Sequence, residues 1–83
     1  MNFKKGDIVA NDSGSCVMIL KESTNHNNAP IYAGCDLLDV YTNVSRGWFN
    51  RLATKEEKAR LFYLLQKKGY TWDEENLELI QEL

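Results

Sequence analysis

The side chains that chemistry most often recruits are scarce and scattered in this chain. His26 is the single histidine, and with Cys16, Cys35 and Asp36 it would make up the donor set of a metal site. Zinc motifs bring their ligands in pairs separated by roughly two to four residues, and neither cysteine has such a partner. A cysteine nucleophile drawn from the same residues needs a base within hydrogen-bond reach. A histidine set among Asn25, Asn27 and Asn28 has instead the surroundings of a solvated loop. Asp36 with Asp39, and Asp73 with Glu74 and Glu75, would do general acid–base work only if one carboxylate were desolvated, and both groups fall among turn formers. The five glycines stand singly, so no loop of the phosphate-cradling kind is present. The expectation is therefore no catalytic residue, no metal, no cofactor and no small-molecule substrate: a protein that is not an enzyme.

A surface signal remains. The net charge of −2 conceals an uneven distribution: residues 46–68 sum to +5, residues 69–83 to −5 and residues 1–45 to −2. Within the basic segment, Arg60, Tyr63 and Lys67 share one face at helical spacing, so that an aromatic ring stands between two cations, and Arg46 and Arg51 extend the patch. Cations that hold phosphate beside a ring that stacks are the ingredients of a nucleic-acid surface. The same residues serve equally as a contact for a protein partner or a second copy of the chain. They are also explained as a solvated face, or as one that the acidic tail folds across and neutralises. A protein partner or self-association is the stronger expectation, and nucleic acid the alternative.

The elements that must carry these residues are legible in outline. Ile8-Val9-Ala10 and Cys16-Val17-Met18-Ile19-Leu20 read as strands joined by the turn formers of residues 11–15, and the second run is apolar at every position, which predicts burial on both faces. Residues 22–30 read as a loop. Ile31, Ala33, Cys35 and Leu37 then alternate with polar or small residues as a third strand, and Gly34 within it points to a bulge or a close backbone approach. Residues 39–47 read as a second loop with room for a short strand at Val40-Tyr41. Trp48-Phe49-Asn50-Arg51-Leu52 reads as a further strand. Trp48, Phe49 and Trp72 are expected in the core, and any of them left exposed would become an interface anchor.

Thr54-Lys55-Glu56-Glu57 is a capping box that starts a helix at Lys55. Leu61, Phe62, Leu64 and Leu65 form its apolar arc, and Gly69 supplies the left-handed stop after Lys67 and Lys68. In the tail, Tyr70 and Trp72 alternate with Leu77 and Leu79 as a hairpin around Glu74-Glu75-Asn76; Leu77, Ile80 and Leu83 alternatively suit a short helix, and strand-favouring Trp and Tyr decide for the hairpin. The fold class is thus α+β, one domain over residues 1–83. A small, strongly curved antiparallel sheet (1–53) comes first, then one helix (54–69) and a closing hairpin (70–83).

Two stretches resemble known families. Phe3-Lys4-Lys5-Gly6-Asp7-Ile8-Val9 resembles the opening strand of SH3-like small barrels, which implies that the curved sheet of residues 1–53 is an SH3-like barrel. Arg51-Leu52-Ala53-Thr54-Lys55-Glu56-Glu57-Lys58 with Leu61-Phe62, then Gly69-Tyr70-Thr71-Trp72, is similar to a segment of small proteins from phages and prophages of gut bacteria. The resemblance implies an accessory protein of mobile-element origin rather than a reaction. No apolar run approaches the roughly 20 residues a membrane span requires, and the N-terminus lacks a signal-peptide pattern, so the expected location is the cytoplasm, away from membranes.

Overall fold

The apolar runs on either side of the 11–15 turn pair as antiparallel strands in the computed structural model, which describes residues 3–22, 28–34 and 40–82. β1 (Ile8–Ala10) lies against β2 (Val17–Leu20), followed by β3 (Asn28–Ala33), β4 (Tyr41–Ser45), a 3-10 turn (Arg46–Trp48) and β5 (Arg51–Leu52). These five strands form one antiparallel sheet in the order β4-β3-β2-β1-β5. The helix α1 (Lys55–Lys67) and a separate two-stranded sheet, β6 (Tyr70–Asp73) with β7 (Glu78–Gln81), complete the α+β fold.

β2 sits at the centre of the sheet, and its unbroken apolar composition follows from that place. Met18 and Leu20 point to one face, where Phe3, Val9, Cys16, Ile31, Ala33, Val44 and Phe49 join them. Val17 and Ile19 point to the other, packed with Ala10, Leu61, Leu65 and Leu79. A strand with helix and hairpin on one side and folded-over chain on the other needs apolar residues at every position. Each fully buried aliphatic side chain contributes about 1.5–3 kcal/mol.

The sheet is not closed into a barrel, since β4 and β5, its two edges, do not pair with each other. It is nevertheless curled. Four inter-strand gaps would place the edges of a flat sheet about 19 Å apart, and only residues 46–50, three of them in a tight 3-10 turn, link β4 to β5. A 3-10 residue advances only about 2 Å. The link therefore spans opposite edges only if they bend towards one another.

Several boundaries differ from the sequence expectation. β3 begins at Asn28, inside the stretch read as loop, and it contains Pro30. The Pro30 carbonyl accepts from the Lys21 amide at 3.0 Å, so the missing N–H of Pro30 faces the end of the β2 ladder, where its loss breaks little. Residues 41–45, read largely as loop, form the full strand β4; Asn43 and Ser45 are turn formers by type, but as an edge strand's exposed residues they cost little. Trp48 ends the 3-10 turn and is 43 % exposed, whereas Phe49 is buried edge-on to Phe3 with ring centroids 5.4 Å apart. The chain leaves the 3-10 turn and becomes extended at Phe49, and that change of direction sends only the second of these aromatics into the core. Cys35 and Leu37, expected to continue the third strand, lie outside the described residues.

Gly34 marks a close approach, not a bulge. A Cβ built there would lie 2.5 Å from Leu61 Cδ1 and 3.2 Å from the Leu61 carbonyl oxygen, so its absence lets α1 settle on the sheet. The helix starts as the sequence dictates: Glu57 N–H donates to Thr54 Oγ1 (3.2 Å) and Thr54 N–H to Glu57 Oε1 (2.8 Å). It stops at Gly69, whose φ of +90° is open to glycine and strained for other residues. Leu61 and Leu65 are buried, Phe62 and Leu64 partly so. The tail is a hairpin, with Asp73 opposite Glu78 across the turn of residues 74–77. Asp73 Oδ1 accepts from the Glu75 and Asn76 amides (3.1 and 3.2 Å) and Oδ2 from the Asn76 side chain (2.8 Å), an Asx arrangement that builds the turn without glycine.

Candidate interaction surface

The predicted basic face of α1 is only partly assembled. Tyr63 is 59 % exposed, and the Lys67 ammonium lies 5.5 Å from its ring centroid, a cation–π pair at the solvent boundary. Arg60 turns away from them: its Nη2 donates to the Gly14 carbonyl in the 11–15 turn. Arg51 pairs in the two-pronged manner with Glu57, at 2.7 and 2.8 Å. That bond, with the Thr54 amide, holds the Glu57 carboxyl down at about 2. Arg51 thus ties the helix start to β5, and Arg60, itself still exposed, ties the helix flank to the 11–15 turn through one of its N–H groups. Arg46 has its backbone in the 3-10 turn, and its side chain lies outside the described residues. Neither Arg60 nor Lys67 is ion-paired with a described acid of the hairpin, so the tail does not neutralise this face by direct pairing.

A second surface was not anticipated. Tyr32 on β3 and Tyr41 on β4 are directly opposite. The Ala33 amide bonds to the Val40 carbonyl, and the alternation of antiparallel ladders then makes Tyr32 and Tyr41 a non-hydrogen-bonded pair, the kind in which side chains come closest. Their rings meet edge-on at 5.4 Å; Tyr32 also meets Trp72 at 6.1 Å, and Tyr41 meets Tyr70 at 5.8 Å. The result is a continuous row, Trp72–Tyr32–Tyr41–Tyr70, that joins the main sheet to the hairpin. The Lys21 ammonium lies 5.2 Å from the Tyr32 centroid and 5.5 Å from that of Tyr41. Tyr41 is 47 % exposed. Partial burial, then the neighbouring Tyr70 and Tyr32, push its phenol above the ordinary value.

Beside the row, Phe62, Leu65 and Gln66 of α1 face Tyr70, Thr71, Trp72 and Glu74 across a groove of about 370 Å³. Tyr70 and Trp72 belong to both features. The arrangement offers shape, aromatic area and a single carboxylate, and supplies no paired nucleophile and base. Among the described residues no group of three metal-ligating side chains occurs. Cys16 is buried in the core, and His26, Cys35, Asp36 and Asp39 lie outside the described residues. No helix among those residues is long and apolar enough to cross a membrane. Comparison of the chain with protein-family models, with curated proteins and with solved structures found no match.

Proposed function

We propose that the protein is a non-enzymatic protein-binding module that presents the Trp72–Tyr32–Tyr41–Tyr70 row and its adjoining groove to a polypeptide partner. The observation that carries this reading is the row itself: four rings in successive edge contact, with Tyr41 47 % exposed, bridging the main sheet and the hairpin beside an open groove. Tyrosine and tryptophan offer large contact area at small entropic cost and are enriched where proteins meet. The similarity of residues 51–72 to segments of phage and prophage proteins supports an accessory factor of mobile-element origin, working in the host cytoplasm. Capture from bacterial lysate, followed by calorimetry with each purified candidate, tests the reading. Binding that Tyr41→Ser weakens tenfold or more supports it; partners held equally by wild type and variant, or none at all, overturn it.

The Tyr63–Lys67 pair favours nucleic-acid contact as the second reading, with less charge behind it than the sequence promised, because Arg51 is paired with Glu57 and Arg60 is held aside by the Gly14 carbonyl. It predicts retardation of nucleic acid that weakens steeply as salt rises and is lost in a Tyr63→Ala, Lys67→Ala double variant. Retardation indifferent to both changes rules it out.

A further inference from the structure

The two edges of the main sheet are unlike. β5 is two residues long and ends in the capped helix, with Arg51 locked to Glu57. β4 is five residues long, Tyr-Thr-Asn-Val-Ser, with no charge and no proline. Exposed edges are usually protected by lysine, proline or a bulge, because their unpaired amides recruit other strands. β4 has none of these protections.

Its register shows which groups are available. Val40, Thr42 and Val44 turn their amides and carbonyls towards β3, so those of Tyr41, Asn43 and Ser45 point outwards. The outward amides have no bonding partner among the described residues, and the Asn43 carbonyl accepts only a long bond, 3.5 Å, from the Thr42 hydroxyl. Asn43 lies midway between the other two. An antiparallel copy placed about a two-fold axis at Asn43 sets Tyr41 opposite Ser45, Asn43 opposite Asn43 and Ser45 opposite Tyr41. Every outward donor then meets an outward acceptor and none is left over. The side chains agree: the exposed Tyr41, Asn43 and Ser45 share one face, where the bulky ring falls beside the small serine of the other copy. No like charges confront one another across the seam.

We propose that two copies of this chain join edge to edge through β4, antiparallel about Asn43, so that both five-stranded sheets become one continuous sheet. The inference rests on the reading of the protein as a polypeptide-binding module and names a second copy as one partner, seated against the aromatic row at Tyr41.

Sedimentation velocity of the full chain over a wide concentration range tests it, together with two substitutions. Asn43→Pro removes the central outward N–H while sparing the β3 ladder, which that N–H does not serve. The expected result is a reversible monomer–dimer equilibrium for the wild type and a folded monomer for Asn43→Pro at every concentration. Asn43→Lys sets two cations opposite each other and should weaken the dimer at least tenfold, with part of the loss recovered at high salt. Amide exchange gives a readout on the wild type alone: protection at Tyr41, Asn43 and Ser45 should rise with concentration. A wild type that stays monomeric, a dimer that both variants retain, or exchange at those amides independent of concentration would each overturn the proposal. A monomer whose Tyr41→Ser form still loses a purified partner removes the dimer and leaves the binding reading in place.

Discussion

Glu57 serves two neighbours at once: it accepts from Arg51 through both oxygens, and with Thr54 it takes the backbone amide while its own amide gives to the hydroxyl. Arg51 is the largest cause of its low pKa of about 2, against an ordinary value of 4.5. A carboxyl whose folded pKa is depressed stabilises the fold fully above its ordinary value and loses that contribution as pH falls towards the folded one. Urea midpoints should therefore drop as pH falls from about 4.5 to about 2, and Glu57→Gln should flatten the drop in that window. Asp73, held below its ordinary value chiefly by the Asn76 side chain and then its amide, acts in the same direction. Thr54→Ala should cost about 1 kcal/mol by chemical denaturation, the usual loss for an N-cap hydroxyl. The capping box was legible because its partners are three residues apart. The fate of Arg60 was not, since its acceptor is a backbone carbonyl 46 positions away and a tally of charges has no place for it. Of the predicted patch, Tyr63 and Lys67 stand together as spaced, while Arg51 and Arg60 went to structural duty.

Among the elements, α1 was readable to the residue at its start, because cap, arc and stop are all local signals. β4 was not, because an edge strand is selected by its neighbour: Asn43 and Ser45 favour turns until β3 supplies a ladder on one side. The row of rings was hidden for the same reason, as Tyr32 and Tyr41 meet only once that pairing is known. Gly34 gave a true signal, since a small residue within an alternating run marked where the helix comes closest. Gly34→Ala must displace Leu61 or the helix and should destabilise the protein by about 1–3 kcal/mol in urea melts. Leu65→Ala, in the buried arc, should cost about 2–5 kcal/mol, and Leu64→Ala, on its half-open shoulder, distinctly less.

At the scale of the whole molecule, one central strand serves two cores, and the short link between β4 and β5 makes the sheet curl without closing. The overall class was legible because periodicity and turn chemistry are local; the order of strands was not, because pairing is a long-range choice. The hairpin occupies a distinct place in this plan. Among the described residues no main-chain bond connects β6 or β7 to the larger sheet, and the Glu82 amide returns only to the Gly69 carbonyl, at 2.7 Å. Tyr70, Trp72 and Leu79 hold it by apolar contact with the cluster around Ile19, Leu61 and Leu65, and Leu77, with φ of 54°, rests on Gly6. The tail can consequently lift as a unit while the ladders beneath remain intact. Deuterium uptake at residues 70–81 should run ahead of that at 17–20 under conditions where the protein as a whole stays native. Each such excursion would momentarily uncover Leu65 and Tyr32, against which Tyr70 and Trp72 lie, making residues 70–81 the protein's own hinged cover over the flank of its helix.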